Sequence, residues 1–527
     1  MYNLFTKTIS GKTVTLTVDD ATDVGSVKAG LQSKTGIPAV EQRLLYAGKQ
    51  LSDGHVLSDY GISNNATLHM TMSLPGGTGA LMQLVAIGAQ DKFLTAGASI
   101  TFFQTAHRAH TLFAMEDIEQ LFTGTLGWGK TAQCQLSRSG DLCYGLYLQV
   151  QLPALTRQMF LDANDHQTVT QVAWTNSVGH ALINTVTLTI GSVQIDKHYG
   201  RWLNLWSELT EKEEHRMGLN EMLGREESDI GLVGNADTPR TLYVPLQFWF
   251  CRHLGAALPI VALSYHDTLI KMELADLNAL VVYLTAAGER YRPTTPVAKI
   301  ENNAVELTKL SLFAKTIYLE GDERTRFAKQ DHTYVIEQLQ YNGQEAISDF
   351  HTSHEKQIRL NINHPTKALY FTAQHAENYK EGPCNNDWFN YSSNAPGSRN
   401  PAYSKDLLDT AQLRLNSHDR FAPARQASYF RLMQPAAHHT RIPKKHIYLY
   451  SFAISPEQSQ PSGSCNFSRI DNAQLILRSN DTSKLPDSNA VHGVASWATI
   501  PGKYDVWAVS LNQIEIKGGM CGIKYAN

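Results

Sequence analysis

Cysteine is scarce in this chain, with six thiols (Cys134, Cys143, Cys251, Cys384, Cys465 and Cys521) in 527 residues. That is too few for a disulfide framework, and the absence of any C-x-x-C pair argues against a zinc ribbon. Buried or indifferent thiols in a reducing compartment are expected. An excess of either charge is also missing. The net charge is −3 and the isoelectric point about 6.7, so no global basic field draws in nucleic acid or an anionic membrane. A local basic groove stays open on these grounds. No apolar run approaches the roughly 20 residues a membrane span needs. The most apolar stretch, residues 254–265, is short and contains Pro259. No basic start leads into an apolar run, so no signal peptide is expected. Together these absences predict a soluble chain made in the cytoplasm.

Hydrophobic residues make up 42% and charged residues 18% of the chain, which excludes a disordered tail protein. At about 150 residues per domain, the length suggests three or four domains, or fewer large all-β ones. Residues 1–79 read as a small mixed domain. Two β-rich runs, 4–8 and 13–18, are joined across Ser10-Gly11. A helical pattern follows, with Val24, Val27 and Leu31 on one face, Thr22 or Asp23 to cap its start, and Gly36 with Pro38 to close it. Residues 43–46, an Ala47-Gly48 turn and a last strand at 67–72 complete a β-β-α-β-β order, which can cross one helix over a small sheet.

The blocks FTKTISGKTVTLTV, GIP, QRLLYAGKQLSDG, LSDYGI and ATLHM in this segment resemble the ubiquitin family almost end to end. The resemblance implies a β-grasp fold and places the family's partner-binding patch on Ile9, Leu45, His69 and Thr71. Thr71 puts a hydroxyl at an apolar position of that patch. Ser73 and Pro75 replace the two arginines before the family's terminal Gly-Gly. Gly30 and Asn64 replace two chain-linking lysines, while Lys49 survives. Gly76-Gly77, a candidate processing point, is internal, so the intact chain cannot be attached to anything through it.

Beyond Leu81 the texture changes to alternating runs. Leu146, Leu148, Val150 and Leu152 alternate with other residues, as do Val186, Leu188 and Ile190. Residues 307–319 and 504–516 behave alike, and 446–454, apolar on both faces, reads as a central strand. Residues 379–401 and 455–464 are turn-rich. The best helical candidates are 202–214 and 407–415. Many strands with long irregular loops predict sandwiches or jelly rolls, and this much chain predicts two of them. The charged stretch 320–330 is the expected break. A faint repeat between 243–272 and 429–454 adds little.

Motifs with enzymatic chemistry do not survive their context. GTLGWGKT, residues 124–131, satisfies the P-loop spelling, with Lys130 for phosphate and Thr131 for magnesium. A P-loop needs a buried strand before it and a helix after it. Here a charged segment precedes and a strand-like alternation follows, so a turn between strands is expected. His438-His439 and His351/His354 are the densest histidine groups. On a strand, neighbouring side chains diverge, so satisfied or solvated histidines are favoured over a metal site. The run Glu211, Lys212, Glu213, Glu214 reads as solvated charge. The pair Asp322, Glu323 reads the same way, or as sitting against Arg324 and Arg326. Asn65, Asn390, Asn466 and Asn480 begin N-x-S/T sequons, expected to stay unmodified in a chain without a signal peptide.

Seven ordered blocks carry a second resemblance. They are GALMQLVAIGAQDKFLTAGASITFFQ from Gly79, VPLQFWFCRHLGAALPIVALSYHD from Val244, IYLEGDERTRFAKQDHTYVIEQLQ from Ile317, LNINHPTKALYF from Leu360, LRLNSHDR from Leu413, YFRLMQP from Tyr429 and PSGSCNFSRIDNA from Pro461. They resemble the major capsid proteins of nucleocytoplasmic large DNA viruses. The resemblance implies a mainly β double jelly roll, two eight-stranded barrels side by side. It further implies homotrimers of pseudo-sixfold outline that tile an icosahedral shell, usually outside an internal membrane. Expected domains are 1–79, 80–322 and 323–527. Expected partners are further copies of the chain, minor capsid and penton proteins, and host ubiquitin-binding proteins. The membrane is contacted only indirectly, nucleic acid not directly, and no cofactor or enzyme activity is expected. The location implied is the virion, with assembly in the host cytoplasm. The ubiquitin-like segment is an addition to the family pattern and is expected to be retained, because Pro75 and the missing arginines weaken the grip of a deubiquitinase. A regulatory ubiquitin-like protein carrying a β-sandwich cargo is the alternative.

Overall fold

The computed structural model describes residues 2–8, 11–72, 102–107, 109–156, 171–226, 236–285, 305–350, 354–379, 385–394, 404–480 and 501–525, with isolated positions at 88–90, 94, 96–97, 232, 290, 302 and 381. The chain divides into two compact units, Met1–Ala109 and His110–Asn527.

In the first unit, β1 (Tyr2–Lys7) pairs antiparallel with β2 (Thr13–Val18), whose TVTLTV alternation buries Val14, Leu16 and Val18. Helix α1 (Val24–Thr35) starts where the Asp23 carboxylate accepts the Ser26 N–H. It ends at Gly36, whose φ of 74° is left-handed and suits glycine. Val24, Val27 and Leu31 form its buried stripe. β3 (Gln42–Tyr46), β4 (Lys49–Gln50) and β5 (Thr67–Met72) complete a sheet ordered β2-β1-β5-β3-β4, with β1 and β5 parallel. Leu4, Leu44 and Leu68 join the helix stripe in one core, so this is a β-grasp fold.

The second unit repeats one strand path twice. Its first half contains β6 (Phe113–Leu121), β7 (Thr131–Gln135), β8 (Leu142–Leu152), β9 (Gln171–Trp174), β10 (Ile183–Ile190), β11 (Val193–Tyr199), β12 (Arg240–Pro245), β13 (Thr268–Leu274), β14 (Val281–Leu284) and β15 (Lys309–Leu319). The sheets are β12-β8-β15-β6 and β11-β10-β13-β7, with a β14-β9 ribbon beside them. The second half contains β16 (His332–Ile347), β17 (Glu355–Arg359), β18 (Pro365–His375), β19 (Leu408–Leu415), β20 (His418–Asp419), β21 (Arg425–Gln426), β22 (Ile447–Ser451), β23 (Cys465–Asn466), β24 (Ala473–Ser479), β25 (Gly502–Lys517) and β26 (Met520–Ile523). Its main sheets are β16-β25-β18-β22 and β17-β24-β19-β20. In each half the opening strand pairs with a closing strand, β6 with β15 and β16 with β25. That closing strand also pairs with β8 or β18. The result is a double jelly roll. Alternation fills each barrel: Leu146, Leu148, Val150 and Leu152 of β8 point inward, while Tyr147, Gln149 and Gln151 point out.

Helix α2 (Gly200–Thr210) leaves the first barrel after β11 and lies on the outer face of β16-β25-β18-β22. Trp202, Leu205, Trp206 and Leu209 pack there against Tyr370, Leu449 and Trp507. The charged stretch between the barrels forms helix α3 (Gly321–Lys329).

Two sequence expectations are corrected. Residues 407–415 form strand β19, not a helix. Their apolar spacing suits either period, and pairing with β24, a non-local contact, decides the outcome. Strand β22 is not central: among the described residues it pairs only with β18, at the sheet edge. Both of its faces are nonetheless buried, Tyr448 in the barrel core and Ile447 with Leu449 under α2.

Candidate functional site

On the β-grasp unit, Leu45 of β3 sits directly opposite His69 of β5, and Arg43 opposite Thr71. Residues two apart on a strand share a face, so Leu45, His69 and Thr71 form one outward cluster. His69 is exposed, while Leu45 and Thr71 are half-buried. The Thr71 hydroxyl donates to the Arg43 carbonyl at 3.4 Å, which turns some of its polarity inward. Ile9, Gly76 and Gly77 lie outside the described residues.

The P-loop spelling falls on a turn that leads directly into β7, with no helix after it. Two of its amides are engaged within the chain: the Gly129 N–H donates to the Ala275 carbonyl and the Lys130 N–H to the Gly127 carbonyl. Trp128 is buried and donates its indole N–H to the Val305 carbonyl at 2.6 Å. The strand that follows the loop, in place of a helix, departs from P-loop geometry.

His438 and His439 take different partners. The first meets the Ile454 carbonyl, and the second meets the Glu457 carboxylate at 2.6 Å. Among the described residues, no three ligand side chains converge on a metal position. His351 lies outside them. Arg324 donates to Asp141 at 2.8 Å, and no ion pair with Asp322 or Glu323 is seen among the described residues. Glu213, read as solvated charge, is 61% exposed and pairs with Arg216 and Arg441. Asn390 of the second sequon is buried and donates to Asp387 and to the Asn394 carbonyl, which leaves no room for a glycan.

The densest chemistry lies where the barrels meet. Glu208 on α2 is 6% exposed at its side chain and meets Arg225 at 3.0 Å, Arg441 at 2.6 Å and Lys445 at 3.5 Å. Burial by itself would raise its carboxyl, but Lys445, Arg225 and Arg441 together bring it down to about 2. Arg225 belongs to the first barrel and the other two cations to the second, so the carboxylate bridges them. Glu337 on β16 takes the buried Lys367 at 2.6 Å and also Arg252, which lies over the Trp206 ring. Asp505 on β25 accepts from the Tyr341 hydroxyl at 2.5 Å and pairs with Arg201 and Lys503. Burial, opposed by Asp505, lowers the Lys503 ammonium to about 8. Each carboxylate is ringed by donors, the arrangement that lets a charge stay buried between packed elements.

Residues 385–394, read from sequence as part of a turn-rich insert, form a buried polar strap. The Asn386 amide donates to the Asn278 and Val281 carbonyls, and its own carbonyl accepts from Thr175. Trp388 donates to the Ala279 carbonyl, and Gln374 donates to the Trp388 and Asn390 carbonyls. This insert thereby ties the second barrel to the first. The high Asn content of the insert was its only sequence signal, because asparagine amides can cap loop carbonyls.

Comparison with known proteins agrees with this architecture. Residues 101–320 match the family model of the major capsid protein N-terminus, and residues 323–522 match that of the large eukaryotic DNA virus major capsid protein. Residues 4–75 match the ubiquitin family. The major capsid protein of Pyramimonas orientalis virus is 36% identical, over 85% of this chain and all of the relative. That of Paramecium bursaria Chlorella virus 1 is 35% identical over the same shares. A quasi-atomic model of the PBCV-1 virus capsid superposes with a TM-score of 0.64 at 31% identity, covering 81% of this chain and all of that one. The Faustovirus major capsid protein, at 15% identity and a TM-score of 0.60, shares the fold. With two barrels of one strand path, locked by buried ion pairs and matched by relatives along their whole length, the chain belongs to the major capsid protein family of large eukaryotic DNA viruses and carries a ubiquitin-like β-grasp domain ahead of its double jelly roll.

Proposed function

We propose that three copies of this chain form a closed capsomer of pseudo-sixfold outline, and that such capsomers tile an icosahedral shell assembled in the host cytoplasm. The observation that carries this reading is the pair of like barrels held rigidly in one chain. Three such chains supply six similar barrels, and a head-to-tail contact repeated by threefold rotation closes. The role is structural, not enzymatic. Neighbouring capsomers, minor capsid proteins and penton proteins are the partners, the internal membrane is met only through them, and nucleic acid is not bound directly. The working domains are 1–79, 80–322 and 323–527. Residues 1–79 stay attached, with Gly76-Gly77 uncut, and offer Leu45, His69 and Thr71, with Ile9, to host ubiquitin-binding proteins.

Native mass spectrometry of assembled particles tests both parts. With the chain at 58.6 kDa, an intact trimer weighs about 176 kDa. A trimer lighter by about 8 kDa per chain means that residues 1–79 are removed. A chain that remains monomeric at high concentration refutes the capsomer.

A further inference from the structure

Beside the start of α2, where the two barrels of one chain meet, the packing leaves a cavity of about 210 Å³. Small residues of the first barrel, Ala181, Ala275 and Ala279, border it and leave the space unfilled. Rings supply the rest of the wall. Tyr199 comes from the end of β11, Tyr341 from β16, Trp507 from β25, and Trp388 with Phe389 from the 385–394 strap. Tyr199 and Tyr341 stand 5.0 Å apart between ring centres, and Tyr341 stacks on Trp507 at 5.5 Å. Trp507 is buried, but Tyr199, Tyr341 and Trp388 are only half-buried, so these rings keep area that a ligand would cover. Aromatic area held in a concave site is what drives the binding of a small apolar or planar molecule.

The charged groups narrow the class of ligand. The Arg201 guanidinium lies over the Trp388 ring at 5.8 Å and pairs with Asp505 at 3.3 Å. It already holds the position over a ring that a cationic ligand would take. Asp276 and Glu381 also line the cavity, and they disfavour an anion such as a phosphate. A neutral ligand is left. Polar acceptors are nevertheless present. The Asn184 amide donates to the Leu274 carbonyl at 3.4 Å, and its own oxygen takes no donor among the described residues. Asp276 accepts from the Asn302 amide at 3.0 Å and retains further lone pairs. Size sets the last limit. An apolar cavity of about 150 Å³ already admits benzene, so this one has room for a two-ring heterocycle.

We propose that this cavity binds a neutral nitrogen heterocycle of the nucleobase class, free or as its nucleoside. The ring plane packs against Tyr199, Tyr341 and Trp388, and its amino or N–H groups turn toward Asn184 and Asp276. The walls come from both barrels, so the bound molecule joins them and stabilises the fold by mass action. This site lies within one chain and does not depend on the capsomer.

Calorimetric titration of the full chain with adenosine tests the proposal. One site per chain is expected, together with a melting temperature that rises with adenosine concentration. Ala181→Phe fills the cavity from a half-buried position and is expected to abolish binding. Tyr199→Leu removes one wall and is expected to weaken binding about 5- to 100-fold, the range for a lost base–aromatic stack. The two variants act at separate positions, so a folding defect in one, seen by circular dichroism, leaves the other as the test. Adenosine 5′-monophosphate is expected to bind at least about 10-fold more weakly than adenosine, because its phosphate meets Asp276 and Glu381. Cyclohexanol, which has a ring but no π-face, is expected not to bind. A parent that shows neither heat nor a melting shift at millimolar adenosine overturns the site, as does equal affinity in the parent and a folded variant. A monophosphate that binds as tightly as adenosine, or cyclohexanol that competes with it, overturns the ligand class.

Discussion

Replacing Glu208 by Gln keeps the shape of the side chain and removes the one charge that joins Arg225, Arg441 and Lys445 across the seam. An ordinary glutamate titrates at 4.5 and this one at about 2. That gap is worth roughly 3 kcal/mol at neutral pH, at the lower end of the 3–5 kcal/mol typical of a broken buried pair. Because the folded value lies below the unfolded one, the contribution is complete well above about pH 4.5 and disappears as the pH falls toward 2. Glutamine mimics the protonated acid at every pH. The difference between parent and variant should therefore be roughly 3 kcal/mol at pH 7, about 2 kcal/mol near pH 3.5 and close to zero at pH 2. Chemical denaturation followed by tryptophan fluorescence measures it, since Trp202, Trp206 and Trp507 all lie at the seam. A variant within about 1 kcal/mol of the parent at pH 7, or a gap that does not narrow with acid, refutes the bridging role of this carboxylate.

Gly200→Ala should destabilise the second unit by about 3 kcal/mol or more, because the added methyl carbon would stand 2.1 Å from the His180 carbonyl oxygen and 2.3 Å from that of Ile183, both backbone atoms that cannot give way; an unchanged melting curve would count against this packing. Acid should weaken the second barrel even before Glu208 titrates. Burial, opposed by Asp406, holds His446 at about 4, so the unfolded chain binds the extra proton between about pH 6.5 and 4 and stability falls across that window. His446→Phe, measured in the same denaturation series, should flatten that part of the profile. Leu45→Ala should abolish binding of residues 1–79 to ubiquitin-receptor domains in a calorimetric titration while sedimentation of the full chain stays unchanged; binding that persists removes the patch from consideration.

The local parts of this protein were legible in its sequence. Asp23 and Gly36 bracket α1 because a carboxylate cap and a left-handed glycine act on the backbone within a few residues. The alternation in β2, β8 and β25 marked strands because side chains on a strand change sides at every residue. Residues 202–214 read as a helix, and α2 with its apolar stripe fills Gly200–Thr210, while the context of residues 124–131 marked a turn between strands. What the stripe would cover was not written beside it. Tyr370 and Trp507 lie far along the chain, and only the packed barrels bring them under Trp202 and Trp206. For the same reason residues 407–415 became a strand, β22 an edge, and the Asn-rich insert at 385–394 a buried strap. Each of these depended on a partner supplied from elsewhere in the chain. Glu208 looked like one more helix carboxylate until Arg225, Arg441 and Lys445 converged on it, because a charge acquires its function from neighbours in space, and sequence order does not record them.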